Sequence, residues 1–268
     1  MVTLVNLRAY WRFVRVIHQF LPLIVTYTRD RRKYLLFGGG RSVSPERQRR
    51  RADRLLTSLL TLGPTFIKLG QLLSTRPDVL PPAYIEVLSS LQDDVPPAPW
   101  EETKPILEAE VGPVDDVFDE FDREAISGAS LGQVYRATYE GEEVAIKVRR
   151  PGIEALVEAD LRALKWLLPV LLRFTDEARR FSLSNLADEF DTTIRQEMDY
   201  GRERRMLGEI RENFDDNDRI RIPTAVDELS GSRVLAMEYL AGTKINDVET
   251  LDERGIDRSE LAESLQRI

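Results

Sequence analysis

The sequence predicts an α+β protein in which a small antiparallel sheet with helices follows an all-helical N-terminal extension. Two observations lead to this prediction. Helical patterns separated by proline and glycine fill the first 112 positions, and from Ala125 the pattern changes to short extended runs. The chain has 268 residues, of which 42% are hydrophobic and 31% charged. This composition is typical of a globular protein with one large domain or two modest ones.

The first 40 residues are predicted to form a basic amphipathic helical arm. Trp11, Val14 and Ile17 recur at helical spacing, whereas Arg12 and Arg15 fall on another face. Residues 1–54 carry 13 Lys and Arg against 3 Asp and Glu, although the whole chain has a net charge of −8. The arm therefore suits an interfacial helix on an anionic surface, or equally a helix docked on a partner. A solvated helical face is the alternative.

Composition excludes several kinds of chemistry. The chain has no cysteine, and its only histidine is His18. Zinc sites built on thiolates, disulfides, cysteine nucleophiles and serine triads are therefore not expected, and we predict no metal site made by this chain alone. The apolar stretch 16–27 is too short and too polar for a transmembrane helix, which needs roughly 20 apolar residues.

A helical extension is predicted over residues 41–112, after a glycine triplet at 38–40. The triplet lacks a preceding strand and a following Lys-Ser/Thr pair, so it is a linker rather than a phosphate loop. Proline and glycine punctuate this region. Helices are predicted over 46–62, 65–74, 83–91 and 100–111.

Residues 113–240 are predicted to form the sheet-bearing domain, and 241–268 to begin the next one. Strands at 134–139 and 143–148 form a hairpin around Glu140 and Gly141. Long helical regions follow over 153–173 and 183–213, and two further strands over 221–226 and 233–239. Strand, strand, helices, strand, strand is the order of the N-terminal lobe of a protein kinase.

A tetrapeptide on the second strand, Val144-Ala145-Ile146-Lys147, fits the V-A-I-K motif in which a lysine binds the α- and β-phosphates of ATP. Strand alternation places Ala145 and Lys147 on one side. An apolar strand that ends in lysine is common, so the motif alone is weak. It gains weight from Gly132-Gln133-Val134 upstream, which matches the last G-x-V of a kinase phosphate loop.

Residues 127–134, Ser-Gly-Ala-Ser-Leu-Gly-Gln-Val, resemble the alanine-rich loop of the UbiB/ADCK family of atypical kinases. Two further family motifs occur in the family order. They are K-x-G-Q at Lys68-Leu69-Gly70-Gln71 and E-x-D at Glu197-Met198-Asp199. The resemblance covers about residues 45–268. The chain departs from the family loop at Ser127 and Gly128, where alanines are usual.

The resemblance implies roles for these residues. Lys147 binds phosphate and pairs with Glu203, on the helix equivalent to αC. Lys68 of K-x-G-Q reaches the nucleotide site and meets Glu197 and Asp199, and Gln71 lies one turn along the same face. The alternative for these acidic residues is a solvated helix face paired with arginines. The implied nucleotide-binding residues are Ser127, Gly128, Ala129, Ser130, Gly132, Val134, Ala145, Lys147, Glu238 and Leu240.

The family likeness implies ATP or ADP as ligand. No catalytic-loop Asp and no D-F-G Asp follow the expected hinge at Glu238, so Mg²⁺ is expected only with a C-terminal lobe. We therefore expect this chain to be part of a longer protein and, by itself, neither to hydrolyse ATP nor to transfer phosphate.

The implied parent is an atypical kinase or ATPase that supports quinone or isoprenoid lipid biosynthesis, cytoplasmic and peripheral to a membrane. Expected partners are nucleotide, an anionic or isoprenoid lipid surface, and proteins of a lipid-biosynthesis complex. A C-terminal membrane anchor in the parent is left open. The alternative is a non-catalytic, pseudokinase-like scaffold that binds lipid or proteins. Nucleic acid is not an expected partner, because no aromatic residues interleave the arginines at 47–54.

Overall fold

The structure is a computed structural model of the chain. It describes residues 10–22, 44–91, 95–173, 177–217, 219–245 and 247–266. The predicted linker at 38–40 and the outer parts of the predicted arm lie outside the described residues.

The described residues of the extension form helices joined by turns. Gly63, with φ of 88°, ends one helix, and Pro64 begins the next, because proline fits the first turn, where no amide partner is needed. The helices that precede the sheet are α1 (10–22), α2 (Pro45–Leu62), α3 (Pro64–Ser74), α4 (Pro82–Leu88), α5 (Trp100–Val111) and α6 (Val114–Val117).

The sheet is antiparallel and has the order β1-β3-β4-β5, with β2 also pairing with β3. The predicted hairpin joins β3 to β4 through Glu140 and Gly141, which both have positive φ (52° and 81°) as a two-residue turn of this kind requires. The strands are β1 (Glu120–Phe121), β2 (Ser127–Gly128), β3 (Gly132–Tyr139), β4 (Glu142–Arg149) and β5 (Val234–Glu238).

Two predicted elements differ from the structure. The helical region over 183–213 is interrupted after Glu197, because Asp199 caps a new helix by accepting a hydrogen bond from the backbone N–H of Arg202 at 3.2 Å. The predicted strand over 221–226 is present only as a bridge between Ala225 and Met237 along β5. The remaining helices are α7 (Ile153–Leu172), α8 (Glu177–Glu197), α9 (Tyr200–Asn213), α10 (Val248–Glu253) and α11 (Arg258–Gln266).

Three apolar clusters position the site. One lies under the sheet, where α5 packs on buried Tyr135 and Ile146. A second cluster joins the four helices α1, α2, α3 and α4 around Phe66. The third packs Leu131, from the turn between β2 and β3, against α7 and α8, so the turn is held between the sheet and these helices. The predicted α+β class is confirmed by this arrangement of sheet and helices.

Candidate functional site

A pocket of about 380 Å³ opens between the turn after β2, the end of β4, and helices α3, α8 and α9. Ala129, Ser130 and Gly132 line it from the turn, and Lys147 lines it from β4. Five elements meet here, and four of them carry the motifs singled out above.

Lys147 and Glu203 form an ion pair inside the pocket. The Lys147 Nζ lies 2.7 Å from both carboxylate oxygens of Glu203. The ammonium also lies 4.7 Å from the ring centroid of Tyr200, within range of a cation–π interaction. The strand lysine is thus fixed by the first turn of α9. The same pairing of a strand lysine with a helix glutamate occurs in active protein kinases, where the lysine also contacts the nucleotide phosphates.

A second ion pair, between Lys68 and Glu197, also lines the pocket. The Lys68 Nζ, on α3, lies 3.1 Å from a Glu197 carboxylate oxygen at the end of α8. Gly70 of the same motif leaves room for α2, because a Cβ there would lie 2.8 Å from the Leu59 side chain. The amide of Gln71 donates to the carbonyl of Leu91 at 3.5 Å, a long hydrogen bond that lies within the extension. The structure thus places Lys68 and Glu197 in the pocket and Asp199 beside it as the cap of α9.

The turn between β2 and β3 is compact. The N–H of Ala129 donates to the carbonyl of Gly132 at 2.9 Å, and Gly128 receives a hydrogen bond from the Val95 N–H at 3.2 Å. Ser127 pairs in register with Val134 on the neighbouring strand. Of the predicted loop residues, Ala129, Ser130 and Gly132 therefore reach the pocket, whereas Ser127, Gly128 and Val134 shape the strands behind it.

Three further predicted nucleotide-binding residues, Ala145, Glu238 and Leu240, do not line this pocket. Ala145 is half-buried on β4, and the backbone N–H of Glu238 donates to the carbonyl of Thr224 at 2.8 Å. Leu240 follows the end of β5. The described pocket therefore brings Lys147 together with part of the predicted loop but does not include these three residues.

Gln133 has a role that sequence reasoning missed. Its side chain is fully buried, and its Oε1 accepts from the N–H of Ala98 at 2.8 Å. Its Nε2 donates to the Ala98 carbonyl at 3.1 Å and to Thr103 Oγ1 at 3.0 Å. The middle residue of the G-x-V pattern thus fastens β3 to the proline-rich segment before α5. A buried polar side chain in a loop motif was the available signal.

Arg150, directly after β4, makes a second connection of the same kind. Its Nε donates to the carbonyl of Ala129 at 2.8 Å, and its Nη2 donates to the carbonyls of Val95 and Pro96, both at 2.8 Å. Its backbone N–H donates to Leu131 at 3.0 Å. Burial lowers the pKa of the Arg150 guanidinium from its usual value, but it remains charged at neutral pH. The turn is therefore tied to residues 95 and 96.

Tyr200, the first residue of α9, was not predicted either. Its side chain is 1% exposed and lies against the turn, since a Cβ on Gly132 would be 2.1 Å from its hydroxyl oxygen. Burial raises the pKa of the phenol far above its usual value, and the carboxylates of Glu203 and Glu197 act in the same direction. Tyr200 is therefore neutral at physiological pH and touches both Lys147 and the turn.

Two further findings concern metal binding and membrane spans among the described residues. Across the part of the chain that the structure describes, no group of three or more His, Cys, Asp or Glu side chains is placed to hold a metal ion. Among the same residues, no helix is long and apolar enough to cross a bilayer.

An antiparallel sheet whose lysine pairs with a glutamate on a neighbouring helix defines a kinase-like lobe. Residues 90–268 match the model of the ABC1 atypical kinase-like domain. This match covers more than half of the chain, so the chain belongs to the ABC1 atypical kinase-like family. The resemblance to UbiB proteins found in the sequence motifs is thereby confirmed.

Curated relatives agree with this assignment. The chain is 41% identical over 235 residues to the chloroplastic protein Activity of BC1 Complex Kinase 8 of Arabidopsis thaliana, which covers 85% of this chain and 31% of the relative. It is 37% identical over 259 residues to a probable protein kinase UbiB of Marinobacter nauticus, which covers 96% of this chain and 47% of the relative. The chain therefore spans about a third to a half of the length of these relatives.

One solved structure is also similar. The Rv3197–erythromycin complex from Mycobacterium tuberculosis is 27% identical and superimposes with a TM-score of 0.51. The similarity covers 76% of this chain and 51% of the other. Its extent supports the kinase-like fold of both the sheet and the adjoining helices.

Proposed function

We propose that this chain is the nucleotide-binding part of a UbiB-like atypical kinase or ATPase that supports quinone or isoprenoid lipid biosynthesis at a membrane. One observation carries the nucleotide part of the proposal. The Lys147 ammonium is held 2.7 Å from both oxygens of Glu203, in a pocket bordered by the turn at 129–132. The placement in lipid biosynthesis is supported by the family likeness to proteins named UbiB.

The residues of the pocket fit a phosphorylated ligand. A lysine ammonium is a donor with three N–H groups, and phosphate oxygens are strong acceptors. Glu203 fixes Lys147 where it lines the pocket, and the turn presents a wall without bulky side chains at Ala129 and Gly132. ATP, when bound, supplies a transferable phosphoryl group. Lys147 would hold its phosphates, and Glu203 would keep the lysine in place.

Replacing Lys147 by alanine is expected to weaken ATP and ADP binding by about tenfold or more, because a charged hydrogen bond to phosphate contributes about 1.5–3 kcal/mol. Isothermal titration calorimetry with and without Mg²⁺ measures this loss. Lys165→Ala is the matched control, since Lys165 pairs with Asp191 on an exposed helical surface, away from the pocket. Equal nucleotide affinity in Lys147→Ala and wild type would contradict the proposal.

A non-catalytic scaffold that binds lipid is the second candidate, and exposed aromatic side chains favour it. Trp11 on α1 and Trp166 on α7 are 65% and 73% exposed. Phe13, also on α1, has its ring centroid 6.3 Å from that of Trp166. Tryptophan is enriched where proteins meet the membrane–water interface. These two exposed tryptophan side chains offer apolar area that can enter a bilayer.

Liposome flotation tests this second function. We expect wild-type protein to float with anionic vesicles, and the double variant Trp11→Ser/Trp166→Ser to lose most of that binding, because interfacial binding scales with buried apolar area. Phe181→Ser is the control, since Phe181 is 71% exposed on a different helix, α8. Unchanged flotation of the double variant would remove this surface from consideration. Flotation that is the same with and without ATP would favour the scaffold over the nucleotide-dependent protein.

A further inference from the structure

Two buried hydroxyl groups border the pocket without using their hydrogen-bonding capacity. Ser130 Oγ and the Tyr200 hydroxyl belong to side chains that are each 1% exposed. Neither oxygen has a hydrogen-bond partner among the residues that the structure describes. Most buried polar groups in proteins are paired, because desolvation of an unpaired hydroxyl is unfavourable. Both side chains line the same pocket as Lys147.

The two hydroxyls belong to different elements that line the pocket. Ser130 lies in the compact turn closed by the hydrogen bond from Ala129 N–H to the Gly132 carbonyl. Tyr200 comes from the start of α9 and faces the turn at Gly132, where a Cβ would lie 2.1 Å from its oxygen. The phenol can approach the turn so closely because position 132 is glycine, since any side chain there would clash with the hydroxyl. The pocket is thus lined by one hydroxyl-bearing residue from the turn and by one from α9.

The charged and hydrogen-bonding groups that line the pocket indicate which kind of ligand it can bind. Lys147 Nζ lies 4.7 Å from the centroid of the Tyr200 ring, so the ring and the ammonium are neighbours in the lining of the pocket. A neutral hydroxyl donates one hydrogen bond, as the ammonium donates three. Phosphate oxygens only accept, so hydroxyl donors beside the Lys147 ammonium suit a phosphate group better than they suit a sugar or a base.

We propose that Ser130 Oγ and the Tyr200 hydroxyl donate hydrogen bonds to the phosphate oxygens of the nucleotide that Lys147 holds. This inference rests on the proposed nucleotide binding. It gives the side chain of Ser130, already an implied nucleotide-binding residue, the role of a phosphate donor, and it adds Tyr200 as a second donor. Because both oxygens are buried in the present arrangement, phosphate entry requires the turn at 129–132 to move away from α9. Nucleotide binding is therefore also expected to change amide hydrogen exchange in that turn.

Two variants that each remove a single oxygen test the inference, Tyr200→Phe and Ser130→Ala. We expect each to lower the affinity for ADP by about tenfold, as measured by calorimetry, while the affinity for adenosine stays at the wild-type value. The melting temperature without ligand should be unchanged or higher, since an unpaired buried oxygen is lost. Tyr139→Phe, on β3 outside the pocket, and Ser89→Ala, after α4, are the matched controls.

Each outcome separates the inference from the function on which it rests. Wild-type binding of ADP with a loss in both variants, and none in the controls, supports the inference. Wild-type binding of ADP that neither variant weakens overturns it and leaves the proposed nucleotide binding intact. A wild-type chain that binds neither ADP nor ATP overturns both. A fall in adenosine affinity equal to that for ADP also overturns it, because the hydroxyls would then act on the fold of the pocket and not on phosphate.

Discussion

Gly128 is a residue with no space for a side chain. A Cβ at this position would lie 2.0 Å from the carbonyl oxygen of Val95 and 3.2 Å from the nitrogen of Pro97. Both contacts are with backbone atoms, which cannot rotate away as a side chain can. The family loop usually carries alanine where Gly128 stands. The departure therefore accompanies a close approach between the turn and the segment before α5.

Gly128→Ala is expected to destabilise the fold by about 1–3 kcal/mol, the usual cost of forcing an extra methyl into a packed site. Gly208→Ala is a matched control in the opposite direction. Gly208 is exposed on α9 with nothing within 4 Å, so alanine should stabilise the helix there by up to about 1 kcal/mol. Urea unfolding followed by circular dichroism measures both. Equal stability of Gly128→Ala and wild type would show that the segment at 95–97 shifts freely.

At the scale of elements, α1 is a docked helix and not a free arm. Val16 is fully buried, and Arg12 donates to both oxygens of the fully buried Asp160 on α7, at 2.5 and 2.9 Å. Arg12 also donates to the carbonyl of Leu62 at the end of α2. Arg12, which was predicted to lie on a different face from Trp11 and Val14, thus serves the interior, whereas Trp11 and Val14 are exposed.

Asp160→Asn is expected to destabilise the protein by about 3–5 kcal/mol, because it leaves Arg12 without its counter-charge in a buried position. Limited proteolysis should then cleave near α1 earlier than in wild type. The double variant Arg12→Met/Asp160→Leu should recover most of the loss, since an apolar pair of similar volume removes both charges. A double variant as unstable as Asp160→Asn would mean that packing, and not the unpaired charge, determines the effect.

At the scale of the whole molecule, the motifs predict the parts that local patterns can encode. Strand alternation and the V-A-I-K motif place Lys147, and the family likeness supplies Glu203 and Lys68 as candidates. The structure brings Lys147 to Glu203 and Lys68 to Glu197. Their nucleotide-binding roles stay predictions until binding is measured.

Other parts depend on packing between distant segments and leave no periodic signal in the sequence. Gln133 meets Ala98 and Thr103 across about 30 positions, and Arg150 meets Val95 across 55. The break between α8 and α9 had a local signal, the capping residue Asp199, but the helical periodicity on both sides concealed it. The roles of such residues can be assigned only after the fold has placed their partners.

The attachment of residues 95–98 to Gln133 and Arg150 has a consequence for cooperativity. This short stretch lies between the helices of the extension and the sheet, and its backbone groups at Val95, Pro96 and Ala98 are hydrogen-bonded from the sheet side. Unfolding of the sheet would therefore remove the hydrogen bonds that hold residues 95–98. Unfolding of the extension would in turn remove the contacts that residues 95–98 make with the turn and the sheet. The two regions should lose their structure in a single step, as one thermodynamic unit.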